Sequence, residues 1–276
     1  MPFLERDGLR LHYEDSGPPA AGPDAAVSPA GGLPLLFIHG NSCDGTFFAP
    51  LTERFAPARR CIVPDLRGHG QSDAPEDAAY TYHAFTDDLA ALCRSLRVPR
   101  VVAVGHSMGG AVAVRLAASR PDLVAGLAAL DSTLLPPPGL ELWLDPLLRK
   151  LAAAPDASPM RDFYEPLFGP EDDPVRRQEI VARLECTPRH VVLALMDLFR
   201  DPDYESALRS ARCPLLYVSA NRHRTDWTAL RRLAPQTRFA QAALSGHFLP
   251  LEVPEQIGPM LGRFLANLGT VPAPGA

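Results

Sequence analysis

Six short, largely apolar stretches punctuate the chain, at 35–38, 61–63, 101–104, 123–130, 215–219 and about 238–244. A strand with one face in water alternates apolar and polar residues. A run that does not alternate belongs to a strand buried on both faces. The intervening segments carry helical spacing. Phe85, Leu89, Leu92 and Leu96 recur at 4-3-4 intervals along one face, with Asp87 and Asp88 nearer the N-terminal end. Residues 110–118 are apolar on nearly every side, Arg115 excepted, as in a helix packed against a sheet. Residues 258–268, introduced by Pro254-Glu255, read as a closing helix. Strands alternating with helices predict an α/β fold, a mostly parallel central sheet flanked by helices. Ligands of such sheets sit beyond the carboxyl ends of the strands, so chemistry is sought just after each run.

Ahead of the first run, 3–13 reads as a hairpin turning at Asp7-Gly8, and 17–34, rich in Pro, Ala and Gly, as a surface loop. The alternation breaks once. From Ser132 to about Glu205 no strand is legible. The first part is dense in proline, including Pro136, Pro138, Pro146 and Pro155. The second carries two helical patterns, 175–184 and one opening at Thr187-Pro188, where Thr187 suits the N-cap and Pro188 the first helical position. The expected organisation is a core made of 1–131 and 206–276, with a helical cap inserted over 132–205.

A chain of 276 residues that is 46% hydrophobic and 21% charged is long enough for one large core and is not intrinsically disordered. Its net charge of −5 argues against tracking nucleic-acid phosphates. Cys43, Cys61, Cys93, Cys186 and Cys213 are scattered without a C-x-x-C pair, which points to buried free thiols rather than a zinc or redox motif. No apolar stretch reaches the ~18–20 residues of a membrane span, and the N-terminus lacks the basic start and apolar core of a signal peptide. A cytoplasmic protein without membrane or nucleic-acid partners is expected. Nothing indicates a metal or an organic cofactor, and no pattern speaks to the oligomeric state.

The segment 101–110, Val-Val-Ala-Val-Gly-His-Ser-Met-Gly-Gly, holds a G-x-S-x-G sequence. It follows an apolar strand and opens an apolar helix, the setting of a nucleophile elbow. Such a turn strains the backbone of Ser107, and small neighbours at 105 and 109 avoid clashes. It also presents Oγ at a helix N-terminus, where the dipole favours developing negative charge. A serine hydroxyl is scarcely ionised at neutral pH and needs a base.

On these residues the chain resembles the α/β-hydrolase superfamily, over nearly its whole length. Phe37-Ile38-His39-Gly40-Asn41 is similar to the family's His-Gly-x turn, and 65–72, Asp-Leu-Arg-Gly-His-Gly-Gln-Ser, matches its D-x-R-G-H-G-x-S loop, a scaffold feature. The resemblance implies an oxyanion hole from the backbone N–H groups of Asn41 and Met108, and His39 as a structural brace. It implies His247 as the base, after the last strand and before the closing helix.

The orienting carboxylate has two candidates. In the commonest family pattern it follows the penultimate strand, but the position reached from Pro214 is His223, and the nearest carboxylate is Asp226, equally suited to capping a helix at 227–233. In the other pattern, similar to haloalkane dehalogenases and zearalenone-type lactonases, it follows the preceding strand, where Asp131 stands. Asp131 is the preferred acid.

The expected activity is hydrolysis of a carboxylic ester or lactone of a small, largely apolar substrate through an acyl-enzyme, with Trp143, Phe163, Tyr164, Phe168, Leu195 and Phe199 supplying an apolar pocket. Met160 and Met196 read as packing. Haloalkane dehalogenases and epoxide hydrolases need a carboxylate where this chain has Ser107. Carbon–carbon bond hydrolases, cofactor-free perhydrolases and hydroxynitrile lyases share a serine triad and remain alternatives, as does a hydrolase-derived small-molecule receptor. Arg222-His223-Arg224 and Arg231-Arg232 are read as solvated surface.

Overall fold

The computed structural model describes residues 2–17, 32–136, 138–222 and 225–268. Eight strands form one sheet: β1 (Phe3–Arg6), β2 (Leu9–Asp15), β3 (Leu35–Ile38), β4 (Cys61–Pro64), β5 (Val101–His106), β6 (Val124–Leu130), β7 (Leu215–Ser219) and β8 (Thr237–Gln241). Their spatial order is β1-β2-β4-β3-β5-β6-β7-β8. β1 and β2 form an antiparallel hairpin, β2 joins β4 antiparallel, and every pairing from β4 to β8 is parallel. The hairpin turns at Asp7 and Gly8, both at positive φ (50° and 80°).

The interior strands lack alternation because both faces are covered. β3, β4, β5 and β7 are buried at every position. Successive residues feed different cores: Leu36, Ile38, Val101 and Ala103 pack on one side with α2 (Tyr82–Ser95) and α3 (Met108–Ser119). Leu35, Phe37, Val102 and Val104 pack on the other with α1 (Ala49–Phe55) and α11 (Pro254–Ala266). β8 is the edge strand on the parallel side and stops at Gln241, short of the expected end near 244. The Ala242 N–H donates to Ser219 O at 2.9 Å and the chain then leaves the sheet.

The D-x-R-G-H-G-x-S loop is anchored to α2. Arg67 donates to Asp88 through Nε and Nη2, both at 2.7 Å, and Arg6 adds a third bond at 3.0 Å. The Arg67 side chain is 9% exposed, so removing its carboxylate would strand a buried charge. Asp88→Ala is expected to cost about 3–5 kcal/mol of unfolding free energy, read from urea denaturation.

Between β6 and β7 the described residues hold helices and no strand: α4 (Leu140–Ala153), α5 (Arg161–Tyr164), α6 (Pro174–Leu184), α7 (Arg189–Asp197) and α8 (Tyr204–Ser210), with short 3-10 turns between them. One helix here is not legible in the sequence, and one expectation needs correction. α4 has no legible sequence signature, because Pro146 lies inside it. The helix holds through Leu140, Leu144, Leu147 and Leu151, which bury one face. Thr187 is not the cap of α7; Pro188 is, with ψ 138° and no side-chain bond, since the proline itself stays extended and the helix opens one residue later. α8 lies along α3, with Tyr204, Ala207 and Leu208 in the sheet-side core. The other helices build a third apolar cluster, which also takes in Cys43, Phe47 and Phe248.

Cys43, Cys61 and Cys93 are buried, Cys213 is half-buried and Cys186 is exposed, so burial does not extend to all five thiols as expected. Of the loop read at 17–34, residues 18–31 lie outside the described residues, as do His223 and Arg224. Arg222, Arg231 and Arg232 are exposed. Among the described residues no helix is long and apolar enough to cross a membrane.

Candidate active site

Three strand ends carry the site. β5 ends at His106, and Ser107 follows with φ 53° and ψ −122°, a conformation costing on the order of 1–3 kcal/mol in a non-glycine residue. The turn closes only because its neighbours are small. A Cβ on Gly105 would meet Gly109 O at 2.2 Å, and one on Gly109 would meet Ile38 O at 2.0 Å. The Ser107 N–H donates to Leu130 O at 3.0 Å, fixing the turn to β6.

Asp131 follows β6 at φ 43° and is fully buried. Its N–H donates to Val218 O at 2.7 Å, and its Oδ1 accepts from the Ala220 N–H at 2.9 Å. The end of β7 thus aims the other oxygen. Oδ2 accepts from Nδ1 of His247 at 2.6 Å, and His247 Nε2 lies 2.9 Å from Ser107 Oγ. With Nδ1 carrying the hydrogen, Nε2 is free to accept from the serine hydroxyl, the tautomer that lets imidazole take a proton from it. His247 is 6% exposed, and its carbonyl accepts from His106 Nε2 at 2.8 Å.

Asp226 is not brought to this group. It caps α9 (Trp227–Leu233), its Oδ1 accepting from the Thr228 and Ala229 N–H groups at 2.8 and 3.2 Å, and it is exposed.

The turn after β3 lies against the elbow: a Cβ on Gly40 would stand 2.9 Å from Ser107 Cβ. His39 is fully buried, its Nδ1 donating to Gly40 O at 2.8 Å and its Nε2 accepting from the Leu66 N–H at 2.9 Å. Burial pushes its pKa down, so it stays neutral and ties two loops together. Met108 occupies the first position of α3, where a backbone N–H has no intrahelical acceptor. The adjacent Asn41 side chain is held by Ser42 Oγ at 2.9 Å, and Ser42 accepts in turn from Tyr164 OH at 2.8 Å. Through this chain α5 touches the turn.

A cavity of about 50 Å³ opens onto Ser107 and His247. Of the six pocket residues expected, Phe163, Tyr164, Leu195 and Phe199 line it. Trp143 and Phe168 do not. Trp143 stacks on Phe163 at 5.7 Å and meets Phe199 edge-on at 5.6 Å, while Phe168 packs on Phe248 at 5.0 Å. Sequence reasoning missed Tyr82 and Tyr204, whose hydroxyls meet at 2.8 Å beside the cavity, and Cys43, whose thiol burial pushes up and so keeps uncharged. These lie in a helix, a helix and a loop with no shared motif, so no sequence signal joins them. Met160 and Met196 are fully buried, and Met196 Sδ accepts from Asn41 Nδ2 at 3.4 Å.

Comparisons with known proteins agree with this fold. An enol-lactonase from Burkholderia xenovorans LB400 superposes with a TM-score of 0.83 at 20% identity, over 96% of this chain and 100% of that one. A thermophilic esterase from Thermogutta terrifontis superposes with a TM-score of 0.80 at 27% identity, over 96% and 97%. In sequence, the 2-(acetamidomethylene)succinate hydrolase of Mesorhizobium japonicum is 41% identical over 99 residues, 36% of this chain and 35% of that protein. The curated relatives that match first do so over little more than a third of their own length. The family profile described as "Alpha/beta hydrolase family" matches residues 35–258, from β3 through the His247 loop into α11. With the strand order, the strained serine turn and that match in agreement, the chain belongs to the alpha/beta hydrolase family.

Proposed function

We propose that the protein is a serine hydrolase acting on a carboxylic ester or lactone of a small, largely apolar substrate. One observation carries this reading: the unbroken chain Ser107 Oγ, His247, Asp131 at the mouth of a cavity walled mostly by apolar side chains. Ser107 Oγ attacks the carbonyl carbon as its proton passes to His247 Nε2, and Asp131 stabilises the imidazolium that results. The carbonyl oxygen, now negative, rests on the Asn41 and Met108 N–H groups. The intermediate collapses, the alcohol oxygen takes the proton from His247, and an acyl-serine remains. Water, deprotonated by His247, then attacks the acyl carbon and releases the acid, restoring Ser107. The helical segment within 132–205 acts as a cap that shapes the acyl and alcohol sites. The similarity to the Thermogutta terrifontis esterase supports ester cleavage.

A fluorophosphonate probe tests this reading, since it phosphonylates an activated serine irrespective of substrate. Stoichiometric labelling of the wild-type chain is expected. No labelling under conditions that modify a known serine hydrolase overturns the proposal. A panel of short-chain esters, aryl esters and macrocyclic lactones then identifies the substrate class.

A further inference from the structure

The mechanism above leaves a pair of buried carboxyl groups unused. Glu252, at the end of α10 (Leu249–Glu252), is 8% exposed. Its oxygens accept from the amides on either side of the proposed base: Gly246 N–H to Oε2 at 2.5 Å and Phe248 N–H to Oε1 at 2.8 Å. The amide between them, His247 N–H, donates to Leu167 O at 2.8 Å. Leu167 begins the short segment 167–172 that leads into α6. Asp172 folds this segment by accepting from the Gly169 N–H, and its side chain, 5% exposed, is in hydrogen-bonding contact with Glu252. The approach is close. A Cβ on Gly246 would stand 2.7 Å from Gly169 N, 2.8 Å from Leu167 O and 2.9 Å from Asp172 Oδ2. All three amides of 246–248 are therefore held, two by the carboxylate of α10 and one by the helical insert. A carboxyl–carboxyl contact joins the two holders.

Two buried carboxyl groups in contact do not both ionise near neutral pH. The surrounding charges do not relieve them. Arg176, in the first turn of α6, reaches within 3.9 Å of Asp172 Oδ1, but its side chain is 35% exposed. Glu171 beside them is acidic and exposed. On the base's own loop, His247 Nδ1 is engaged by Asp131, and His106 donates to the His247 carbonyl. Burial, then the charge of Asp172, pushes Glu252 up to about 8.

We propose that Glu252 and Asp172 are positioning residues for His247, a carboxyl contact that pins the loop carrying the base to the helical insert while Glu252 holds its proton and releases it when that proton is lost. Its effect on rate rests on the role proposed for His247. The latch itself is a property of the folded state and is testable without any substrate.

The sign of the pH dependence follows from linkage. Glu252 ionises near 4.5 when unperturbed and near 8 in the folded chain, so the folded state binds more protons between those values. Its stabilisation is complete below the lower value and is lost as pH rises through the upper one. Asp172→Asn removes the charge of Asp172 but leaves the burial of Glu252, the larger cause of its shift, so it weakens this dependence while keeping the shape. The carboxamide oxygen still accepts from Gly169 N–H, and its NH₂ donates to an ionised Glu252 without a shared proton. In urea unfolding from pH 5 to 9, the wild-type folded-to-unfolded ratio is expected to fall relative to D172N by on the order of tenfold. Equal pH slopes in the two proteins overturn the latch.

Fluorophosphonate labelling measured over the same range supplies the kinetic arm. The wild-type rate is expected to decline above about pH 8, the decline following from the linkage above, and the D172N rate to decline less. A decline identical in both overturns the positioning role. Glu252→Gln must turn an NH₂ toward one of the two amides, and is expected to lower kcat about ten- to a hundredfold at every pH while KM changes less. A wild-type kcat in Glu252→Gln also overturns it. Divergent unfolding slopes without any labelling of wild type would leave the latch standing and sink the hydrolase reading instead.

Discussion

Ser107→Ala is expected to abolish fluorophosphonate labelling and to lower kcat for any turned-over ester by about five to six orders of magnitude, with KM nearly unchanged. The size of the effect reflects what the hydroxyl does. Without it no acyl-enzyme forms, and His247 is left activating water in a site shaped for a tethered nucleophile. The cost in stability is expected to be small, within about 1 kcal/mol, because the strain at φ 53° is as large for alanine as for serine. What changes is one hydrogen bond, from Ser107 Oγ to His247 Nε2. A variant that folds with unchanged urea midpoint yet retains turnover within tenfold of wild type would show that another group attacks the carbonyl.

The second large effect separates two aspartates. Asp131→Asn is expected to lower kcat by about four orders of magnitude, while Asp226→Asn leaves it within about twofold. Asparagine at 131 fits the same space and can still accept from the Ala220 N–H, but the amide group it turns toward His247 favours the ring tautomer with hydrogen on Nε2. That nitrogen can no longer accept the serine proton. At 226 the carboxylate only caps α9, and asparagine caps a helix about as well. Asp226→Ala should cost about 1 kcal/mol of stability with turnover intact. Reversed kinetic rankings would move the acid to the end of β7 and leave the buried Asp131–His247 bond a packing feature.

The contrast between these residues shows what a linear chain conceals. The apolar runs were legible because strands covered on both faces cannot alternate, and β3 and β7 have the limits read from the sequence. The serine turn and His247 were legible because each sits in a local strand–turn–helix setting. The choice of Asp131 over Asp226 was less sharply drawn, since both follow a strand and aspartate suits either a helix cap or a histidine partner. In space they differ: Asp131 Oδ2 meets His247 Nδ1 while the Ala220 N–H holds Oδ1, and Asp226 caps α9. Likewise α4 was hidden by Pro146, whose disruptive propensity is outweighed by four buried leucines. Half the pocket came from helices and loops whose neighbours in space are remote in sequence. Trp143 and Phe168 were aromatic and in the right segment, yet they brace the residues that line the cavity.

The third apolar cluster bears on how such an enzyme can be re-engineered. Phe47 and Phe248, supplied by the sheet-bearing part, are 0% and 2% exposed and sit 6.1 Å apart among residues of α4, α5 and α7. Phe248 is also the residue next to His247. A chimaera that exchanges only the stretch from α4 to α7 would uncover both rings, at roughly 1.5–3 kcal/mol each, and would loosen the histidine loop from its far side. Transplanting a foreign insert therefore means co-selecting positions 47 and 248 with it, so the boundary that matters for recombination runs through side chains rather than along the backbone.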